Sequence, residues 1–453
     1  MVKSVNVSKG IASFLKDKYR NKGGIVSGRE EFLRFNEPQH WISTGIRPLD
    51  LAIGGRGIPS GKIILVSADA TLGKTLLGLH LCVRFQQHIV PGFVHYIAPE
   101  SGAAADWMES LGVDLSEDAL VQPKGLTCLE ELFEYIELCG RWHMKHEPKR
   151  PIFFFIDSIT AFLPKSTMEK DYKTAFKQKG NEAAIISGGL KKLEMALNHS
   201  NNTLLFISQL RSRISMNPMQ PIIGDPQAVT GGAALGYYNS LHLRLRQVYG
   251  RDIYSYEDAK KRDRVHEQEG TEVEIFVYKS RICFPHRKAF VPIYWQETKH
   301  HPIGFDPEQA DLNWLIDREL ISTYAGKDKA LVKAGSNEIE LASGSHVFTG
   351  LSGWRNLLTK EKLNKEIGDL MLANASSRCA KDERMEEASS KSQEDTAAQD
   401  RELDQMDRDL ENLADEAPDF DVQEEEEAPP PPKKGKGKGK SRPPPAVARD
   451  EEE

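Results

Sequence analysis

The run Ala68-Asp69-Ala70-Thr71-Leu72-Gly73-Lys74-Thr75 carries residues able to hold phosphate. The phosphate-loop pattern is G-x-x-x-x-G-K-[ST]; the last three positions match, and Ala68 stands at the first glycine. Backbone N–H groups at a helix start point at phosphate oxygens. Gly73 lets the backbone come close, Lys74 brings positive charge to the β and γ phosphates, and the Thr75 hydroxyl ligates Mg²⁺. A methyl group at position 68 is tolerated when φ stays negative. Two acids fit the same chemistry. Asp157 closes the apolar run Ile152–Ile156, where a carboxylate can hold Mg²⁺ through water. Glu100 follows FVHYIAP and can orient or deprotonate an attacking water. The plain alternatives are a strand-end cap for Asp157 and a solvated loop acid for Glu100.

These residues need a scaffold, and the periodicity supplies one. Lys62–Ser67, Phe93–Ile97, Ile152–Ile156 and Thr203–Ile207 read as buried strands. Lys74–Gln87, Thr127–His143 and Glu182–Ser200 read as the helices between them. Thr127 and Glu130 have capping-box spacing, and Ile185, Leu190, Leu193 and Leu197 form one apolar face. Apolar strands alternating with helices imply an α/β fold, a mainly parallel sheet covered on both faces. Ser240–Gln247, Glu272–Tyr278 and Ala289–Trp295 alternate and should extend the sheet antiparallel. Before this core, Val5–Arg20 reads as an amphipathic helix and Ile25-Val26 as a brief strand. That segment has too little apolar surface to fold alone, so it packs on its own domain or on a neighbouring subunit. Pro302–Ala373 reads as a small lobe, with a helical stretch over Trp354–Leu372. From about Asn374 the chain turns acidic, then Pro-rich, then Lys/Gly-rich, and should be disordered.

The net charge of −7 over 453 residues conceals this layout, because the acidic runs crowd into the tail. The average therefore neither supports nor excludes a nucleic-acid partner. Five scattered cysteines form no CxxC pair and no zinc spacing, which suits reduced thiols. The chain opens without a signal peptide, and no apolar stretch reaches the roughly 18 residues that span a bilayer. A soluble, cytoplasmic protein is expected.

Many short segments, in order, resemble the RecA recombinase family over about Val5–Ala373. They begin with Ser43-Thr44-Gly45, Leu49-Asp50 and Gly57–Lys62, and pass through the GKT loop, Leu111–Asp114 and Gln122-Pro123. They continue with Asp157-Ser158, Leu163–Lys165, Ile207–Arg211, Thr230–Gly232, Ala234-Leu235 and Tyr237-Tyr238, then Lys279, Arg281 and Pro285. The resemblance implies a RecA-like P-loop ATPase core with a short N-terminal oligomerisation helix and strand, a small α+β C-terminal lobe and an acidic tail. The implied boundaries are 1–40, 41–301, 302–373 and 374–453. It implies ATP and Mg²⁺ as cofactors, with Ala68–Thr75 binding nucleotide and Thr75 and Asp157 binding metal. By the same resemblance Lys74, Glu100 and Gln209 are catalytic. Glu100 is then the general base, Gln209 the sensor of the γ-phosphate, and Trp107 the stacking partner of adenine. Lys279 and Arg281 alternate on a strand and share a side; in the family, bases at these positions reach the neighbour's nucleotide. Without the family they are a solvated strand face, Trp107 an ordinary core aromatic, and Gln209 a group satisfying strand-end backbone.

Two long segments should meet DNA. About Ser166–Asn181 carries Lys170, Lys173, Lys177 and Lys179 with Tyr172 and Phe176. About Arg211–Thr230 carries Arg211, Arg213, Met216 and Met219, and Gly231-Gly232 forms a hinge after it. Cations contact phosphates, and aromatic or apolar side chains stack on bases or wedge between them. The alternative for the lysines is ordinary surface charge. The implied function is homologous pairing and strand exchange by a homo-oligomeric helical filament on single-stranded DNA. Homologous duplex, single-strand-binding and loading proteins are its implied partners, in a bacterial cytosol or phage-infected host, within the nucleoid and the SOS damage response. A RecA-fold motor, helicase or branch-migration ATPase, and a non-catalytic paralogue are the competing readings. Four departures mark the chain: Ala68, Ala104 where the family has an acid near adenine, the long charged stretch Arg251–Gly270, and the tail. The acidic run Glu402–Glu427 can compete with DNA for the basic loops, and Lys433–Lys440 can tether duplex; a solubilising tail is the plain alternative.

Overall fold

The computed structural model describes residues 38, 40–89, 92–99, 102–147, 150–168, 181–197, 201–212, 227–231, 233–254, 268–297, 301–323 and 336–375. All of them belong to the first of two units, Met1–Asp395 and Thr396–Glu453. The N-terminal helix and strand, Glu100, Lys170, Lys173, Lys177, Lys179, Arg213, Met216, Gly232 and the tail lie outside the described residues.

The chain enters with β1 (Trp41–Ile42), α1 (Arg47–Ala52) and β2 (Ile58–Pro59), which pairs antiparallel with β1. The main sheet then builds from β3 (Ile63–Ala68), α2 (Lys74–His88), β4 (Phe93–Ile97), α3 (Ala105–Ser110), β5 (Leu120–Val121) and α4 (Leu129–His146). It continues with β6 (Ile152–Ile156), the short α5 (Lys165–Met168), α6 (Asn181–Leu197), β7 (Thr203–Ser212), β8 (Gln227–Val229) and α7 (Ala233–Tyr238). The strands β9 (Leu241–Tyr254), β10 (Gln268–Ser280), β11 (Lys288–Tyr294) and β12 (Gly304–Phe305) complete it. The order across the sheet is β12-β11-β10-β9-β3-β7-β6-β4-β5, with β8 pairing β7. Strands from β9 to β5 in that order run parallel. This corrects one expectation: the Leu241 strand joins β3 in parallel, and the antiparallel extension begins beyond it with the pairs β9-β10, β10-β11 and β11-β12.

Both faces of the parallel strands are buried because both carry helices. Phe153 and Phe155 of β6 face one core with Leu77 and Phe85 of α2; Ile152, Phe154 and Ile156 face the other with Leu132, Ile136 and Leu190. That alternation explains why an all-apolar run suits this position. Gly78 sets how closely α2 lies on β6: a Cβ there would fall 2.2 Å from Phe155 Cζ. Gly78→Ala gains about 1 kcal/mol of helix propensity. Overpacking against a fully buried ring costs about 1–3 kcal/mol, so the net expectation is lower stability. A fall in the thermal unfolding midpoint checks this; an unchanged midpoint would mean the ring has room to turn.

At the start of α4 the capping box is displaced by one residue. Thr127 donates both its N–H and its hydroxyl to Glu131 Oε2, each at 2.8 Å, while Glu130 accepts from the Lys165 N–H at 3.0 Å. The helical stretch expected over Trp354–Leu372 consists of α9 (Gly350–Leu358) and α10 (Glu361–Asn374), separated at Thr359 and Lys360, the latter with extended backbone. They follow α8 (Pro307–Asp317) and the sheet of β13 (Ile321–Thr323), β14 (Ser336–Leu341) and β15 (Gly344–Thr349). Trp354, Leu312 and Ile367 centre a third apolar cluster there.

Two buried histidines give the fold a pH dependence. Burial, helped by His143, pulls the His95 imidazole from 6.5 down to about 3. Burial, with Arg244 and Lys279 nearby, does the same to His242, also to about 3. The unfolded chain binds these protons near pH 6.5 and the folded chain only near 3. Each group's contribution is therefore complete above pH 6.5 and is lost as pH falls toward 3. Between pH 7 and 5 each should cost about 2 kcal/mol. His95 sits between the Phe93 and Phe154 rings, with centroids at 5.0 and 4.9 Å. His95→Phe should remove its share of the acid slope in denaturant midpoints measured across that range; an unaltered slope would refute the assignment.

Candidate functional site

The sheet topology places the candidate phosphate-loop residues. β3 ends at Ala68, and Ala68 pairs in parallel register with Gln209 of β7. Asp157 caps β6, the next strand outward, and its N–H donates to the Ile97 carbonyl of β4 at 2.9 Å. Ala68 is fully buried as the last residue of its strand. Among the described residues, positive φ outside glycine occurs only at Thr71, His286 and Glu319. Ala68 therefore carries no left-handed strain, and its methyl group sits in the core. The turn is made further on, at Thr71 (φ 64°) and at Gly73 (φ 81°), which precedes α2. Gly73 adopts the left-handed conformation that only glycine adopts freely, and a Cβ there would press on Ile293 Cδ1 at 3.1 Å.

Lys74 Nζ donates to the carbonyls of Asp69, at 2.6 Å, and Ala68, at 3.2 Å, so the amine lies over its own loop. Partial burial lowers its pKa, with Asp157 and Asp69 opposing the shift. Thr75 Oγ1 donates to Asp157 Oδ2 at 2.7 Å. A hydroxyl and a carboxylate converging at a helix start form the hard-oxygen donor set that suits Mg²⁺, which keeps waters and phosphate oxygens as its other ligands. Among the described residues no three His, Cys, Asp or Glu side chains gather into a protein-only metal site.

A cavity of about 290 Å³ opens beside the loop. Thr71, Gly73, Lys74, Thr75 and Leu76 line it, together with Trp107 of α3, Tyr294 at the end of β11, Trp295 just after it, and Ile303 and Gly304. Asp69, Ala70 and Leu72 are not among its lining residues. Trp107 was legible in the sequence; Tyr294 and Trp295 were read only as part of a strand. The available signal was an aromatic pair closing an apolar run. Tyr294 is already committed: its ring stacks on His301, with centroids 4.0 Å apart, and its hydroxyl donates to Gln309 Oε1 at 2.8 Å.

The second loop is entered and left through strands. The expectation of loop from Arg211 is corrected, because β7 runs to Ser212 and pairs antiparallel with β8, with Arg211 opposite Ala228. Arg211 is exposed. The hairpin is tied to the phosphate loop, since Gln227 Nε2 donates to the Asp69 carboxylate at 3.2 and 3.3 Å. Thr230 N–H donates to the Gln209 carbonyl at 3.0 Å. Gly231 follows with φ 101°.

Lys279 and Arg281 do not line the cavity. β10 ends at Ser280, and a register shift lies between Val277 and Lys279, so the pair is not a regular alternation on one strand. They nevertheless converge. Lys279 Nζ donates to the Gly236 and Tyr237 carbonyls at 2.6 and 2.8 Å, and Arg281 Nη2 to the Tyr237 carbonyl at 2.7 Å. Both cations also lie near the exposed Tyr237 ring.

A phosphate loop between β3 and α2, with an acid at the tip of the next-but-one strand, defines a P-loop α/β core. The chain belongs to the RecA family: the model of the RecA N-terminal domain matches residues 16–299. It is 32% identical to Protein RecA of Streptomyces coelicolor over 215 residues, 48% of this chain and 53% of that one. The chain thus spans about half the length of that relative. Protein RecA of Chlamydia pneumoniae is 27% identical over 337 residues, 74% of this chain and 83% of its own length. Protein RecA of Borrelia turicatae is 29% identical over 328 residues, 69% and 81% respectively. Among the described residues no helix is long and apolar enough to cross a membrane.

Proposed function

We propose that this chain is a DNA-dependent ATPase that forms helical filaments on single-stranded DNA and exchanges strands with homologous duplex. The observation that carries the reading is the convergence of Lys74, Thr75 and Asp157 on one loop, with Gln209 in register beside it. Thr75 and Asp157 would hold Mg²⁺, which neutralises charge on the transferred phosphoryl. Lys74 moves its amine from loop carbonyls to phosphate oxygens. Glu100 positions the attacking water and takes its proton. Gln209 gains or loses one hydrogen bond with the γ-phosphate, and β7 carries the change into the DNA-binding hairpin. Lys170, Lys173, Lys177, Lys179, Arg211, Arg213, Met216, Gly231 and Gly232 form the DNA surface of this reading. Its binding is largely sequence-neutral, because phosphate contacts carry no base information. The partition into an N-terminal packing segment, core, small lobe and regulatory tail belongs to the same proposal, as does a cytoplasmic location.

The test is strand exchange between a single strand and homologous duplex with ATP and Mg²⁺, run beside Glu100→Gln. The wild type should exchange strands, and the variant should bind ATP and DNA while hydrolysing poorly. Normal hydrolysis by Glu100→Gln would remove Glu100 as the base. ATP-dependent unwinding without pairing would favour a motor instead.

A further inference from the structure

We infer that Glu194 is a positioning residue for hydrolysis: it holds Arg281 back from a neighbour's nucleotide, and Lys62 neutralises it when Arg281 leaves. The inference rests on the proposed action of Arg281 across subunits and deepens it to the control of that step. Its ground is a group of charged side chains drawn from three elements. Arg281 follows β10, and its backbone is fixed by the N–H it donates to the Ser240 carbonyl at 2.9 Å. Its guanidinium stands beside Glu194 of α6, with Nη1 3.5 Å from Oε1, and donates from Nη2 to the Tyr237 carbonyl at 2.7 Å. Lys62, just ahead of β3, feels both groups: the Glu194 carboxylate attracts its ammonium and the Arg281 guanidinium repels it. Lys192, two residues before Glu194 on α6, is engaged elsewhere, with Glu137 at 2.6 Å.

The Arg281–Glu194 pair does little for the fold. Its side chains are 42% and 33% exposed, and water screens ion pairs at such exposure. The Tyr237 carbonyl already gives the guanidinium an acceptor, so the carboxylate is not needed to satisfy it. What the carboxylate changes is the competition for Arg281. A triphosphate brought up by a second subunit is negative, as Glu194 is, and the two anions contend for one cation. Once Arg281 swings to the phosphate, Glu194 is left near like charge, which is costly unless another cation closes on it. Lys62 is that cation. It is half-buried, so its ammonium gains from a nearby carboxylate, and the repulsion from Arg281 ends when Arg281 leaves. The energy that holds Arg281 on Glu194 exists only before subunits meet. It therefore raises the concentration at which they act on one another and leaves the rate of the assembled site alone.

The experiment follows phosphate release by the full-length chain on single-stranded DNA, with saturating ATP and Mg²⁺, across a dilution series of the protein. Glu194→Gln keeps the shape of the side chain and removes its charge. It should reach half its maximal rate per chain at about 2- to 5-fold lower protein concentration than the wild type, with the same maximum. Lys62→Gln should move that threshold the other way, by about 2-fold, and should have no effect in the Glu194→Gln background. A merely structural role would give equal shifts in both backgrounds. An unmoved threshold or a lower maximum in Glu194→Gln would overturn the inference, as would a Lys62→Gln shift that persists without the carboxylate; each leaves the ATPase reading intact. A rate per chain that stays the same on dilution, with Lys74→Ala and Arg281→Ala proteins failing to complement each other, would end the action of Arg281 across subunits and the inference with it.

Discussion

Lys74→Ala should fold normally and hydrolyse ATP at least about 100-fold more slowly than the wild type in the presence of single-stranded DNA. The fold should survive because Lys74 bonds only to two carbonyls of its own loop and supports no core contact. The chemistry should not, because a preorganised cation facing the transferred phosphoryl is worth far more there than in water. Circular dichroism together with a phosphate-release assay checks both halves. Hydrolysis within about 3-fold of wild type would disprove the role of Lys74, given that clamp removals usually cost much more. Loss of fold would show that the loop carbonyls depend on the amine.

Arg281→Ala should lower DNA-stimulated hydrolysis by about 10³-fold, the lower end of what an arginine finger supplies. Within one chain Arg281 reaches the Tyr237 carbonyl and Glu194, not the cavity. On the filament reading proposed above, its effect on turnover comes from acting on a neighbour's nucleotide. Mixing separates this from a structural role. Lys74→Ala and Arg281→Ala proteins are each inactive, but side by side they rebuild a complete site where an intact loop meets an intact arginine. Random assembly at equal amounts should recover about one quarter of the wild-type rate, as expected for head-to-tail interfaces. No recovery in mixed filaments would mean that Arg281 acts only within its own chain, by holding the end of α7.

The core was legible because its strands are apolar on both faces. IFFFI has no polar residue to mistake for a surface and TLLFI only its leading Thr203, and the GKT run follows the buried strand Ile63–Ala68 after a four-residue turn. What escaped the reading depends on partners distant in sequence. The strand at Leu241 alternates like a hairpin strand, and only its neighbour β3 determines that it pairs in parallel. Glu131 displaced Glu130 at the α4 cap because Glu130 is occupied by the Lys165 N–H. Tyr294 and Trp295 looked like the end of a strand, since the sequence does not reveal that β11 stops beside a loop more than two hundred positions earlier. The Gln227–Asp69 contact was likewise hidden, being a surface pair with no periodicity. The hairpin β14–β15 was missed because its outward side carries polar residues such as Glu338, Glu340 and Ser345.

The β7–β8 ladder has a practical corollary for anyone who wishes to edit this protein. Residues 213–226 are spliced between two strands whose pairing, Arg211 with Ala228 and Ser212 with Gln227, holds the ends at a set spacing. Any redesign of the residues between these strands therefore has to keep the anchor at its exit, the amide of Gln227 on Asp69.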